Sequence, residues 1–227
     1  MEAATRRHRW RIDERELLRH EQRRGRRHAF EALAAERTAL VVVDTIPFFV
    51  DANPFTRGIV GDIVALAEAM RRAGGTVAWV VPGDDAMTPA RVEFLGPEVA
   101  ELYRTSAGGG APADRLADPL RAESDDLVVT KSAPSAFFPG RCDLPALLAG
   151  RGIDTVIIAG TVASVCCESS ARDASTLGYR TIVAADAVSA NTDEELNASL
   201  HTIYRSFGDV RSTPDLLDLI RAGRSTP

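Results

Sequence analysis

The chain has 227 residues, 45% of them hydrophobic and 26% charged, which is the make-up of an ordinary globular protein with a full core. No apolar run approaches the roughly 20 residues that cross a bilayer, and the opening MEAATRRHRWRIDERELLRH has no apolar stretch of a secretory signal, so a cytoplasmic protein without membrane contact is expected. The net charge of −5 divides unevenly: residues 1–37 hold eleven Arg against seven acids, or +4, leaving −9 for the remainder, and an acidic body argues against nucleic acid as a partner.

Residues 1–35 read as a basic helical arm, whose interleaved Glu and Arg suit packing on its own or a neighbouring subunit. ALVVV at 39–43 is an unbroken β-branched run ending at Asp44, the mark of a strand buried on both faces. Ile59, Ile63, Leu66 and Met70 recur at helical spacing within 57–73, and Gly74-Gly75 ends that helix. TVAWVV at 76–81 is a second buried strand, and LVVT at 127–130 is a third, running into Lys131. Between them, residues 82–126 carry Pro82-Gly83, Gly96-Pro97 and Gly108-Gly109-Gly110 with weak periodicity, so they read as an insert that shapes or covers a pocket.

The alternation then resumes. A short helix at 144–148 closes at Gly150, TVIIAG at 155–160 is a central strand, and 165–177 is a helix ending at Gly178. A strand at 179–186, a helix at 193–206, a short edge strand at 207–212 and a helix at 213–220 follow, the last with Thr213 as its N-cap. Residues 36–222 thus form one α/β domain, with 223–227 as a tail. The order predicts a three-layer α/β/α fold on a mostly parallel sheet with right-handed crossovers.

In such a sheet, functional groups gather beyond the carboxyl ends of the strands. Asp44, Lys131 and the turn leading to Cys166 all follow strands, so three separate segments deliver an acid, an amine and a thiol to one edge. Of the 27 basic residues, Lys131 is the sole Lys, which points to a position that needs a compact ammonium. A thiol at a helix N-terminus is expected to have a lowered pKa, and the free amides there can hold an oxyanion. Together the three residues suit acyl transfer to a thiol, with the acid moving the proton.

Other chemistries lack their parts. The cysteines Cys142, Cys166 and Cys167 form no disulfide framework. Of four histidines, His8, His20 and His28 lie in the arm, leaving His201 alone in the body. Neither a His-rich metal cluster nor a histidine-based triad is expected, nor is a cofactor.

The segments VVVDTIPFFV, VVTKSAPSAFF and GTVASVCCESSARDASTLGY closely resemble the isochorismatase-like cysteine hydrolases over about residues 36–222. The resemblance implies a six-stranded parallel sheet, a homodimer or homotetramer, and a catalytic triad of Asp44, Lys131 and Cys166. It also implies a cis peptide between Thr161 and Val162, with the backbone amides of Val162 and Cys166 as the oxyanion hole. Phe48, Phe49, Phe137, Phe138 and Trp79 are candidates for the substrate pocket, with core packing as the alternative; by resemblance, Phe49 and Phe138 are its walls.

Three departures narrow the expectation. The nicotinamidases of this superfamily carry an Asp and His metal cluster after the second strand, where this chain reads VVPGDDAMTP without His, so neither a metal nor nicotinamide is expected. Members that cleave the isochorismate ether lack the cysteine, so Cys166 favours amide chemistry. The usual Thr three residues before the nucleophile is Ala163 here. The expected activity is hydrolysis of a C–N bond in a small amide, carbamoyl or ureido compound through a thioester. The alternatives are ester or isochorismatase-like cleavage, and a non-catalytic binding protein that kept the fold.

Overall fold

A computed structural model describes residues 4–83 and 87–223. Six strands form one sheet in the order β3-β2-β1-β4-β5-β6: β1 (Thr38–Val43), β2 (Thr76–Pro82), β3 (Leu127–Lys131), β4 (Thr155–Thr161), β5 (Arg180–Ser189) and β6 (Asp209–Arg211). Every neighbouring pair is parallel. The order reverses at β1, which lies between β2 and β4, and the crevice at such a switch point is where parallel sheets bind ligands.

The apolar runs are continuous because both faces of the sheet are covered. In β1, Ala39, Val41 and Val43 face one core, and Leu40 and Val42 face the other. The first core is closed by α6 (Leu144–Gly150), α7 (Glu168–Thr176) and α8 (Asp193–Ser206), through Leu144, Ala171, Ala174, Leu196 and Leu200. The second is closed by α3 (Pro54–Arg72) and α9 (Thr213–Ala222), through Ile59, Ile63, Leu66, Met70, Leu216 and Ile220.

Several boundaries differ from expectation for local reasons. β5 continues to Ser189 instead of ending near Asp186, and its register against β4 shifts between Ile158 and Gly160. Asp186 sits in that irregular stretch and accepts from both the backbone N–H and the hydroxyl of Thr213, each at 2.7 Å. Thr213 is therefore not the cap of α9; Ser212 is, with its hydroxyl accepting from the Asp215 amide. The weakly periodic insert contains two helices, α4 (Pro89–Leu95) and α5 (Pro97–Ser106), each opened by a proline at its start. The first strand is followed by a short helix, α2 (Pro47–Ala52).

The arm holds one helix, α1 (Glu14–Arg24), capped by Asp13. It lies on its own body: His8 meets Asp193, the Arg11 amide donates to Asn197, and His28 and the Phe30 amide reach the buried Asp209.

Candidate active site

Asp44 stands directly beyond β1 with φ of +55°, in the left-handed region that Asp tolerates better than most residues. Its amide donates to Val80 O of β2 at 2.8 Å, so the turn is tied to the neighbouring strand. Lys131 ends β3, whose register pairs it with Pro82. Asp44 is 2% exposed and Lys131 6%, so these charges must compensate each other.

They do so directly. Lys131 Nζ lies 2.8 Å from Asp44 Oδ2, and it donates to Ala133 O at 3.2 Å and to Cys166 Sγ at 3.5 Å. An ammonium has three N–H bonds, and each has a separate acceptor here. A planar guanidinium could not address three acceptors arranged around one nitrogen, which gives the sole Lys of the chain its physical reason. Burial alone would lower the pKa of Lys131, but the Asp44 carboxylate and the Cys166 sulfur overcome it and hold the ammonium above its ordinary value. Asp44 Oδ1, by contrast, is buried without a hydrogen-bond partner among the described residues. One carboxylate oxygen is held by the lysine, and the other is an acceptor without a donor.

Cys166 arrives on a different device from the expected helix N-terminus. β4 ends at Thr161 and the Thr161–Val162 peptide is cis. Residues Ala163–Cys167 then make a single wide π turn before α7 begins at Glu168. The Val162 carbonyl accepts from the amides of Val165 (3.1 Å) and Cys167 (3.2 Å), stepping over that of Cys166. Gly160, just before the turn, has φ of +114°, and a Cβ there would come within 2.1 Å of Val43 O. Only glycine lets β4 lie this close to β1 at the point where the chain turns.

The expected lowering of the Cys166 pKa is not what this site produces. Burial first, and then the negative charge of Asp44, push the thiol up to about 12, against the opposing pull of Lys131. The resting cysteine is thus a protonated thiol within the influence of the Asp44 carboxylate. Its neighbour Cys167 is fully in the core and is pushed well above the ordinary thiol range by burial. Cys142 is also buried, opposite Lys131 in an isolated bridge.

The turn is held by residues that carry no sequence signal. Ser199 of α8 donates to Ala163 O at 3.0 Å, so a hydroxyl from another helix supports the position where the resemblance leads one to expect Thr. Ser164 bonds one oxygen of Glu195, and the other accepts from the Asn191 amide at 2.9 Å. Ser170 of α7 accepts from the Ala136 amide at 2.9 Å, tying the segment after Lys131 to the helix after Cys166.

Beside this turn lies a cavity of about 440 Å³. Its lining includes Thr161 and Val162 of the cis peptide, Phe48 and Phe49, Asn53 and Phe55, Tyr103 of the insert, Asn191, and Arg6 of the arm. Asp44, Lys131 and Cys166 are not part of that lining; the cavity meets the turn that carries Cys166 through the cis peptide. Phe48 and Phe49 pack edge to face at 4.9 Å, with Tyr103 at 6.4 Å from Phe48.

The other aromatic candidates lie elsewhere. Phe137 is fully buried and packs against Tyr179 at 5.6 Å, so it is core. Trp79 is core too, on the opposite face of the sheet, and its indole N–H donates to Asp126 at 2.8 Å. Both corrections follow from burial: Phe137 and Trp79 are each enclosed by the core on their own face of the sheet. Phe138 is 51% exposed and does not line this cavity. Arg141 bonds the hydroxyl of Ser132 at 2.8 Å. In the VVPGDDAMTP stretch, residues 84–86 lie outside the described residues.

The family is settled by comparison. The Isochorismatase domain model matches residues 38–215, which is most of the chain. This chain belongs to the isochorismatase family. It is 31% identical over 192 residues to the isochorismatase family protein YwoC of Bacillus subtilis, covering 82% of this chain and 95% of that one. It is 30% identical over 204 residues to a ureidoacrylate amidohydrolase of Pseudomonas savastanoi pv. phaseolicola, covering 78% and 81%. Among solved structures, a cysteine hydrolase from Pseudomonas syringae pv. phaseolicola superposes with a TM-score of 0.74 at 28% identity, covering 84% of this chain and 95% of that one.

Proposed function

We propose that this isochorismatase-family hydrolase cleaves a C–N bond in a small amide, carbamoyl or ureido compound through a thioester on Cys166. The observation that carries the reading is the buried Lys131 ammonium bridging Asp44 and Cys166, with Asp44 Oδ1 left without a partner. The similarity to an amidohydrolase of ureidoacrylate points to the same bond class.

In this mechanism Asp44 Oδ1 takes the thiol proton as Sγ attacks the carbonyl carbon, so the sulfur is a thiolate only when it is needed. That order suits a thiol whose pKa is raised at rest. The backbone amides of Val162 and Cys166 hold the oxyanion. Asp44 returns the proton to the departing nitrogen, leaving a thioester, and then takes a proton from water as it attacks to release the acid and the thiol. Lys131 keeps Asp44 in place and faces the developing negative charge on sulfur from 3.5 Å. Phe48 and Phe49 wall the apolar part of the substrate, beside the cis peptide.

The reading extends to the whole chain: a hydrolase domain over residues 36–222 with an arm over 1–35, acting on a small molecule without metal or nucleic acid, as a cytoplasmic homodimer or homotetramer. No helix among the described residues is long and apolar enough to cross a membrane. Light scattering on the purified protein reads the oligomer directly. A hydrolysis panel that pairs each amide with its ester tests the bond class. Turnover of the amides by the parent and its loss in Cys166→Ala is the expected result; ester turnover alone, or an active Cys166→Ala, sinks the reading.

A further inference from the structure

We propose that Arg6 of the N-terminal arm selects the substrate, by binding a carboxylate at the far end of a short amide. This rests on the amide-hydrolase reading above, and it makes the arm a wall of the active site. Arg6 lies outside the residues matched by the family model, 38–215, so it is an addition to the shared domain.

The arm is fixed to this place by contacts at Ala4, Arg6 and His8. The Arg6 amide donates to Pro54 O at 3.0 Å. A Cβ on Gly58 would come within 1.9 Å of Arg6 O, so the close approach of arm to α3 requires glycine at that position. Arg57 donates to Ala4 O at 2.8 Å, and also to Val50 O and Asp51 O, so this neighbouring cation is spent on holding the arm to α2. Two residues on, His8 stacks on Phe55 at 3.9 Å, accepts from the Ala190 amide through Nε2, and so presents Nδ1–H to Asp193. The backbone is thereby seated on both sides of Arg6.

What is left over is the guanidinium. It lies 4.6 Å over the Phe55 ring. A contact with a ring supplies no oxygen acceptor, so the guanidinium N–H donors stay available to a ligand. The next residue, Arg7, pairs with Asp62, but Arg6 has no carboxylate partner among the described residues. Arg6 is also the sole charged residue among those lining the cavity; the others that offer polar groups, such as Asn53, Thr56 and Asn191, are neutral. A cation with an open fork in an otherwise uncharged cavity is the pattern that recognises one carboxylate. The same cavity reaches the cis peptide of the nucleophile turn, so a molecule can place its amide carbonyl at Val162 and its carboxylate at Arg6. The substrate class is therefore a short acid bearing an amide or ureido group at its other end.

Two assays on the full chain separate this inference from the hydrolase reading. The first compares three- to five-carbon amido acids with the matching neutral diamides, in the parent, Arg6→Met, Arg6→Lys and Gly58→Ala. Arg6→Met is expected to raise KM for the amido acid about 30-fold, the scale of one charged hydrogen-bonded contact, with kcat and the diamide little changed. Arg6→Lys restores part of the loss, and Gly58→Ala, which unseats the arm, copies Arg6→Met. The second assay measures calorimetric binding of succinate, which needs no turnover, and Arg6→Met is expected to weaken it at least tenfold. Equal losses on acid and diamide, or succinate binding that ignores Arg6 or is absent from the parent, overturn the inference. If no amide is turned over while succinate binding still depends on Arg6, the hydrolase reading fails and the anion site stands.

Discussion

The two sides of the Thr161–Val162 peptide are built by different means. On one side, Asp44, Lys131 and Cys166 follow the ends of β1, β3 and β4, strands of one parallel sheet in which β2 lies between β3 and β1. On the other, the cavity is walled by connections: the arm, the α2–α3 corner, the insert and the β5–α8 loop. The sheet dictates where an acid, an amine and a thiol can meet, while the loops decide what may approach them. Reaction type and substrate choice are thus held by separable parts of one chain, and substitutions on the two sides should fail differently.

The largest effects are expected on the side of Asp44, Lys131 and Cys166. Lys131→Arg and Lys131→Met should each lower kcat by about 10²- to 10⁴-fold, the range of a positioned proton-transfer apparatus, with KM changed far less. If Lys131→Arg retains parent activity, the three-acceptor argument for an ammonium is wrong. Asp44→Asn should fall in the same range, and it also reports on the thiol. In the parent, Cys166 alkylation by iodoacetamide should climb steadily from pH 7 to pH 10 without a plateau, because burial and the Asp44 charge push the thiol up to about 12. Removing the Asp44 charge makes the thiolate cheaper to form, so in Asp44→Asn the plateau moves to lower pH. A parent plateau at pH 7 to 8 would mean a resting thiolate.

The difference between the two sides also explains what could be read in advance. Strand ends are legible because an unbroken run such as ALVVV stops abruptly at a polar residue, and parallel topology forces such stops to one edge. Asp44, Lys131 and Cys166 were found that way, and the scarcity of Lys singled out one of them. The Cys166 thiol departs from expectation because a helix N-terminus in the sequence reveals neither the burial nor the carboxylate that the fold brings to it. The aromatic residues were sorted poorly, since proximity in sequence to a catalytic residue does not say which face a ring occupies: Phe49 lines the cavity while Phe137 is core. Arg6, Asn191, Ser199 and Glu195 were invisible, because each acts through contacts spanning many residues of chain. For Tyr103, the insert hinted at a cover but not at a particular side chain.

Intermediate effects test that sorting. Phe137→Ala should cost about 3–5 kcal/mol of folding stability by chemical denaturation, the scale for a fully buried aromatic, and leave KM of the folded enzyme near the parent value. Phe49→Ala should do the reverse, raising KM several-fold with a smaller loss of stability. If the two variants exchange these signatures, the cavity has been drawn on the wrong side of the sheet. The smallest effect is expected for Ser199→Ala, which removes the hydroxyl from Ala163 O and lowers kcat by about tenfold or less, since a positioning bond is worth about 1–2 kcal/mol.

The most direct test of the central claim is the mass of the enzyme trapped during turnover. Acid quenching with an amide substrate should yield protein heavier by the acyl group, with fragmentation placing it on Cys166 and not on Cys167 or Cys142, and no adduct in Cys166→Ala. Amide hydrolysis that proceeds at the parent rate in Cys166→Ala, or an acyl group found on another residue, would contradict the account.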